Sequence, residues 1–165
     1  MSDYSSIVVH SAATILELCK DLDEKLKGYL VETDDRPDIS YELLKILTIS
    51  DDLVQLANPD KISGEFFALP KEVVGGSKEA AVFSNDHGWD FGPWFGEKSG
   101  SIKLGIKKVI KYWEMDPETV ELHEEAQITS KEFVRVRIDS GIREVKAYAK
   151  VVFDQFFSDK VSVEK

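Results

Sequence analysis

Between residues 134 and 153 the chain alternates with period two on both sides of a turn signal, and this constrains its fold more than any other stretch. Val134, Val136 and Ile138 alternate with Arg135 and Arg137, and Asp139-Ser140-Gly141 follows. Val145, Ala147, Ala149, Val151 and Phe153 then alternate with Lys146, Tyr148, Lys150 and Val152. Successive side chains of a strand point to opposite faces, so the pattern predicts a β-hairpin with one apolar and one polar side.

The N-terminal third reads differently. Ile15, Leu18, Cys19, Leu22, Leu26, Tyr29 and Leu30 fall at steps of three and four, which predicts an amphipathic helix over about Ser11–Tyr29 with Ser11 as N-cap. A second helix is expected over about Ile39–Leu47. A short third one, with Leu53, Leu56 and Ala57, follows an N-cap at Ser50-Asp51-Asp52 and is ended by Asn58-Pro59. Short strands are expected at 65–69, 80–83 and 120–128, with a turn at Asp116–Thr119 between. Lys103–Trp113 fits both periods. Ile102, Leu104 and Ile106 alternate, while Ile106, Val109, Ile110 and Trp113 share a helical face. Strand is preferred, with a disruption near Lys107-Lys108.

Helices followed by strands give an α+β domain, with N-terminal helices packed on one face of a mostly antiparallel C-terminal sheet. A chain of 165 residues with 42% hydrophobic content is one domain, helical over about 11–57 and sheet over about 64–157. The polar ends 1–6 and 159–165 are expected to fray, and no long repeat or heptad run stands out.

Charge and cysteine content narrow the function classes. The net charge is −10, and residues 1–60 carry thirteen acids against five bases. Such a balance opposes nucleic-acid binding and suits either solubility or attraction of a basic partner. Cys19 stands alone, so no intrachain disulfide or cysteine-rich zinc site is possible, and no leader or membrane span is recognised. A cytoplasmic protein is expected.

Chemistry concentrates in Asn85–Gly96, which holds two of the three tryptophans. Asn85-Asp86-His87-Gly88 suits a type I turn and Gly92-Pro93 a second bend, so a compact aromatic loop is expected. Trp89, Phe91, Trp94 and Phe95 either plug one end of the sheet or form a partly open patch rimmed by Asp86, His87 and Asp90. A ligand pocket walled by the same rings is the third option. These seven residues are the candidate partner-binding set. Lys103, Lys107, Lys108, Arg135, Arg137, Lys146, Tyr148 and Lys150 are the candidate basic face of the sheet. No metal site, cofactor motif or nucleophile–base pair is recognised.

The expected function is therefore a non-enzymatic binding protein, of inhibitor, immunity or accessory type, whose partner is another protein. A small-molecule binder or enzyme with a pocket between helices and sheet is the first alternative. A nucleic-acid-binding accessory protein is the second.

Overall fold

The computed structural model describes residues 4–57 and 77–164, with side chains described over 8–57 and 94–157. Four α-helices account for most of these residues: α1 (Tyr4–Lys25), α2 (Ser40–Leu56), α3 (Ser77–Glu114) and α4 (Ser130–Glu164). A 3-10 turn, Pro117–Thr119, follows α3. No strand occurs among the described residues, so the expected α+β fold with its antiparallel sheet is overturned in favour of a helical bundle.

The expected hairpin is the middle of α4. Its sealed positions are Val134, Ile138, Ile142, Val145, Ala149, Val152 and Phe156, steps of three and four that define a helical stripe. Val136 and Val151, which the alternation placed on the buried side, are exposed. Asp139-Ser140-Gly141 is not a turn, because Gly141 lies inside the helix where α3 presses against it. The start of α4 carries its own signal. Thr129 Oγ1 accepts from the Glu132 N–H at 3.1 Å, and its carbonyl accepts from Phe133 at 2.9 Å.

Three more expected strands are corrected in the same way. Residues 80–83 and 103–113 belong to α3, and 120–128 form an irregular linker. The strand expected at 65–69 lies outside the described residues. Ile102, Ile106, Val109 and Trp113 are all buried, so the helical half of the ambiguous pattern wins, and Leu104 is left exposed. The two bends expected at 85–88 and 92–93 are also helix, since α3 runs without a break from Ser77.

In the N-terminal third the helical reading holds with altered ends. The first helix begins earlier, at Tyr4, with Ser11 buried inside it. The second and third expected helices are one, α2, and Ser50 donates to the Leu47 carbonyl in mid-helix rather than capping. Asp38 supports the true start by accepting from the Ser40 N–H at 3.1 Å, which holds its carboxyl below the usual range.

Each helix packs on two neighbours, α1 and α3 on both α2 and α4. Neighbours run antiparallel. Arg36 meets Trp113 while Asp51 meets Lys103 across α2–α3, and Gly105 meets Val145 while Val109 meets Gly141 across α3–α4. The result is an up-down-up-down bundle whose core is a single cluster fed by all four helices.

The α3–α4 crossing has an internal symmetry. Ile102-x-x-Gly105-Ile106-Lys107-x-Val109-x-x-Tyr112 recurs 36 positions on (102 to 138) as Ile138-x-x-Gly141-Ile142-Arg143-x-Val145-x-x-Tyr148. Each glycine faces the valine four residues beyond the other. Two similar segments thus meet about a local two-fold, and their missing side chains let the backbones approach.

Candidate binding surface

The aromatic segment is split between two environments. Phe95 is fully buried and meets Phe156 of α4 edge-on at 5.2 Å. Its neighbour Trp94 remains 37% exposed. Residues Asp86, His87, Trp89, Asp90 and Phe91 lie on the helical backbone of α3, but their side chains fall outside the described residues. The structure adds aromatic groups that the sequence reading missed. Phe153 and Phe157 stack at 5.5 Å with planes 9° apart, and Phe157 is 46% exposed. Their spacing of four, with Phe156 adjacent, is a helical signal once α4 is known to be a helix.

Trp94, midway along α3, and Val151 and Phe157 of α4 are therefore all exposed near a sealed Phe95–Phe156 pair, and Val151 and Phe157, six positions apart, point about 120° from one another. The exposed groups stand on long helices, so their positions are fixed by the packing beneath them.

The expected basic face does not assemble. Lys103, Lys107 and Lys108 are on α3 and the rest on α4, where side chains two apart, such as Arg135 and Arg137, point about 200° apart. Most are engaged singly. Lys103 binds Asp51 at 2.7 Å, Lys108 binds Glu144 at 3.1 Å, Arg135 binds Asp139 at 3.2 Å and Lys146 binds Asp23 at 2.6 Å. Lys150 pairs with Asp154 and lies over Phe153, and Arg137 lies over Phe133. Tyr148 is covered by Lys98 at 5.6 Å, and Lys107 is exposed.

These pairs explain part of the charge asymmetry. Asp23, Asp34 and Asp51 belong to the acidic N-terminal third, and each binds a lysine of the C-terminal helices. Acids also gather in the two linkers beyond the Trp113 end of α3, away from Trp94. Linker 26–39 carries four acids against two bases, and 115–129 carries five acids and no base, a net of −7. All nine of these acids are exposed, and the linkers are joined by Lys131–Asp34 and by Arg36 on Trp113. From residue 94 to 113 the helix rises roughly 28 Å. This spans several Debye lengths of about 8 Å, so the acidic end acts little at Trp94.

Between α1 and α4 lies a cleft of about 200 Å³ lined by Asp23, Asp139, Ile142, Arg143 and Lys146. Burial pushes the Asp139 carboxyl above the ordinary carboxylate range, with Asp23 adding to it against the pull of Arg135 and Arg143. No group of three or more His, Cys, Asp or Glu with metal-binding geometry occurs among the described residues. No helix among them is long and apolar enough to cross a membrane.

Cys19 is buried in the core, and burial raises its thiol to about 12, with Asp23 adding to the rise and Lys146 opposing it. The folded thiol keeps its proton while an unfolded one releases it near 9.0, so the native state binds more protons between these values. Stability is then unaffected below about pH 9 and falls as pH rises toward 12. Urea midpoints measured across this window should fall more steeply for the native sequence than for Cys19→Ala. Equal slopes would place the thiol in water.

The chain matches no protein-family model, and no curated protein or solved structure is significantly similar to it.

Proposed function

We propose that this is a non-enzymatic binding protein, a rigid helical bundle that engages another protein through its exposed aromatic side chains. The observation that carries the reading is Trp94 and Phe157, 37% and 46% exposed on helices whose adjacent Phe95 and Phe156 are sealed. Large rings held in place on a packed scaffold lose little entropy on binding, and tryptophan is a frequent interface anchor. The acidic linkers at the far end favour solubility and a preferred approach of the partner rather than contact. A cytoplasmic setting suits a chain whose lone thiol is buried.

The test is photo-cross-linking in the native host. A benzophenone side chain at position 94 or 157 should give one dominant protein adduct, and one at position 44, on the outer side of α2, should not. Trp94→Ala with Phe157→Ala should abolish that adduct, probed from position 151, while the melting temperature changes little. Similar labelling from all positions, or an adduct that survives the double substitution, removes Trp94 and Phe157 as the binding site.

A second reading, small-molecule binding, is favoured by the α1–α4 cleft. The pocket between helices and sheet that the sequence suggested has no sheet to line it.

A further inference from the structure

The α1–α4 cleft holds unused hydrogen-bonding capacity of both signs. Asp23 and Asp139 each engage a cation through Oδ2, Lys146 at 2.6 Å and Arg135 at 3.2 Å, and Oδ1 of each has no protein partner. Arg143 lines the same cleft, is exposed, and has no carboxylate within ion-pair distance. Beside them, Nη1 of Arg135 is buried without a hydrogen-bond partner. The floor is the apolar side chain of Ile142, 2% exposed.

Two carboxylates of two helices can share a cationic donor, and a planar guanidinium suits a carboxylate or phosphate held bidentately. A cleft of about 200 Å³ is smaller than the roughly 300–1,000 Å³ of pockets for drug-sized ligands, so it suits a molecule of few atoms. We infer that this cleft binds a small zwitterion, its ammonium group between Asp23 and Asp139 and its carboxylate or phosphate on Arg143.

This site is separate from Trp94 and Phe157, neither of which lines the cleft. Burial, with the charge of Asp23 adding to it, already raises the Asp139 carboxyl, and a bound ammonium would oppose that rise.

The full chain, labelled with nitrogen-15, is titrated with glycine and, separately, with phosphoethanolamine. N-acetylglycine, which lacks the ammonium, and glycinamide, which lacks the carboxylate, are the controls. Saturable shifts confined to residues around 20–23 and 139–146 are expected from at least one zwitterion, with affinity of roughly millimolar order for so few atoms. The two zwitterions distinguish a carboxylate from a phosphate ligand. Both controls should bind about tenfold more weakly or worse, since each leaves one charged group unpaired.

Arg143→Gln and Asp139→Asn should each weaken binding by about tenfold or more, while Lys107→Gln, on the outer side of α3, should leave it unchanged. If Asp139→Asn does not fold, Asp23→Asn takes its place. The proposal fails if neither zwitterion gives saturable shifts. It fails equally if the controls bind as well as the zwitterions, or if Arg143→Gln has no effect.

Discussion

Adding one methyl group at position 141 is expected to destabilise this protein by about 2 kcal/mol or more, despite alanine being the better helix former by about 1 kcal/mol. A Cβ at Gly141 would lie 2.5 Å from Val109 Cγ2, 3.2 Å from the Gly105 carbonyl oxygen and 3.3 Å from the Val109 nitrogen. Val109 cannot simply rotate away, because a β-branched side chain in a helix has one strongly preferred rotamer. The two other contacts are backbone, so relief requires α3 and α4 to separate along the core they share. Gly105→Ala should cost less, since its nearest neighbour is Val145 Cγ2 at 2.9 Å and its backbone contacts lie at 3.4 Å. Gly100→Ala meets nothing within 4 Å and should be neutral or stabilising by up to about 1 kcal/mol. Urea midpoints should therefore rank Gly100→Ala at or above the native sequence, then Gly105→Ala, then Gly141→Ala. Val109→Ala should cost less in the Gly141→Ala background than alone, because it removes the closest clash. A Gly141→Ala variant as stable as the native chain would mean that the helices do not cross this closely.

The crossing also shows where sequence reasoning went astray. Valine and isoleucine at 134, 136 and 138 match a strand, but 134, 138, 142, 145, 149, 152 and 156 match a helix over a longer range. Alternation over a few residues is compatible with both periods when the exposed side of a helix also carries apolar groups, as Val136 and Val151 do. Two further signals favoured the helix. Thr129-Ser130-Lys131-Glu132 has the spacing of a capping box, and the 102–112 pattern returns at 138–148. Gly141 was read as a turn because glycine punctuates turns, yet glycine also marks close backbone approach, and periodicity cannot tell these apart. The first helix was legible because its leucines repeat over several turns without a competing alternation.

The candidate surface was half legible for a related reason. Trp94 and Phe95 stand in an aromatic run that sequence alone makes conspicuous. Phe156, which meets Phe95, and the stacked pair Phe153 and Phe157 lie about sixty residues away (94 to 157), and of these the alternation takes in only Phe153, as the end of a strand. Charge behaves likewise. The excess of acid in the first sixty residues is plain, but its neutralisation by Lys103, Lys131 and Lys146 depends on which helices become neighbours. Through-space pairing of this kind has no sequence spacing to reveal it.

At the other end of the bundle, Trp113→Ala is expected to cost about 3–5 kcal/mol, a large share of the roughly 5–15 kcal/mol that holds a domain of this size together. Trp113 is 8% exposed, and its ring meets Tyr29 at 5.2 Å while the Arg36 guanidinium lies 4.3 Å from its centroid. Arg36 also donates to the Trp113 carbonyl at 2.8 Å, so linker 26–39 is fastened to α3 twice. That linker is strained, with Leu30 at φ 64, a left-handed conformation disfavoured for a branched residue. Packing on Trp113 helps to hold it. Removing the ring takes away apolar burial and the cation–π contact together, leaving only a hydrogen bond to backbone. Trp113→Phe keeps a ring beneath Arg36 and should cost clearly less than Trp113→Ala. Arg36→Ala, which spares the core, should cost about 1–2 kcal/mol. Hydrogen exchange would localise the effect, with amides of residues 30–33 losing protection in both alanine variants before α2 does. Should Trp113→Ala unfold at nearly the native urea concentration with the linker still protected, the ring would not be what anchors that end.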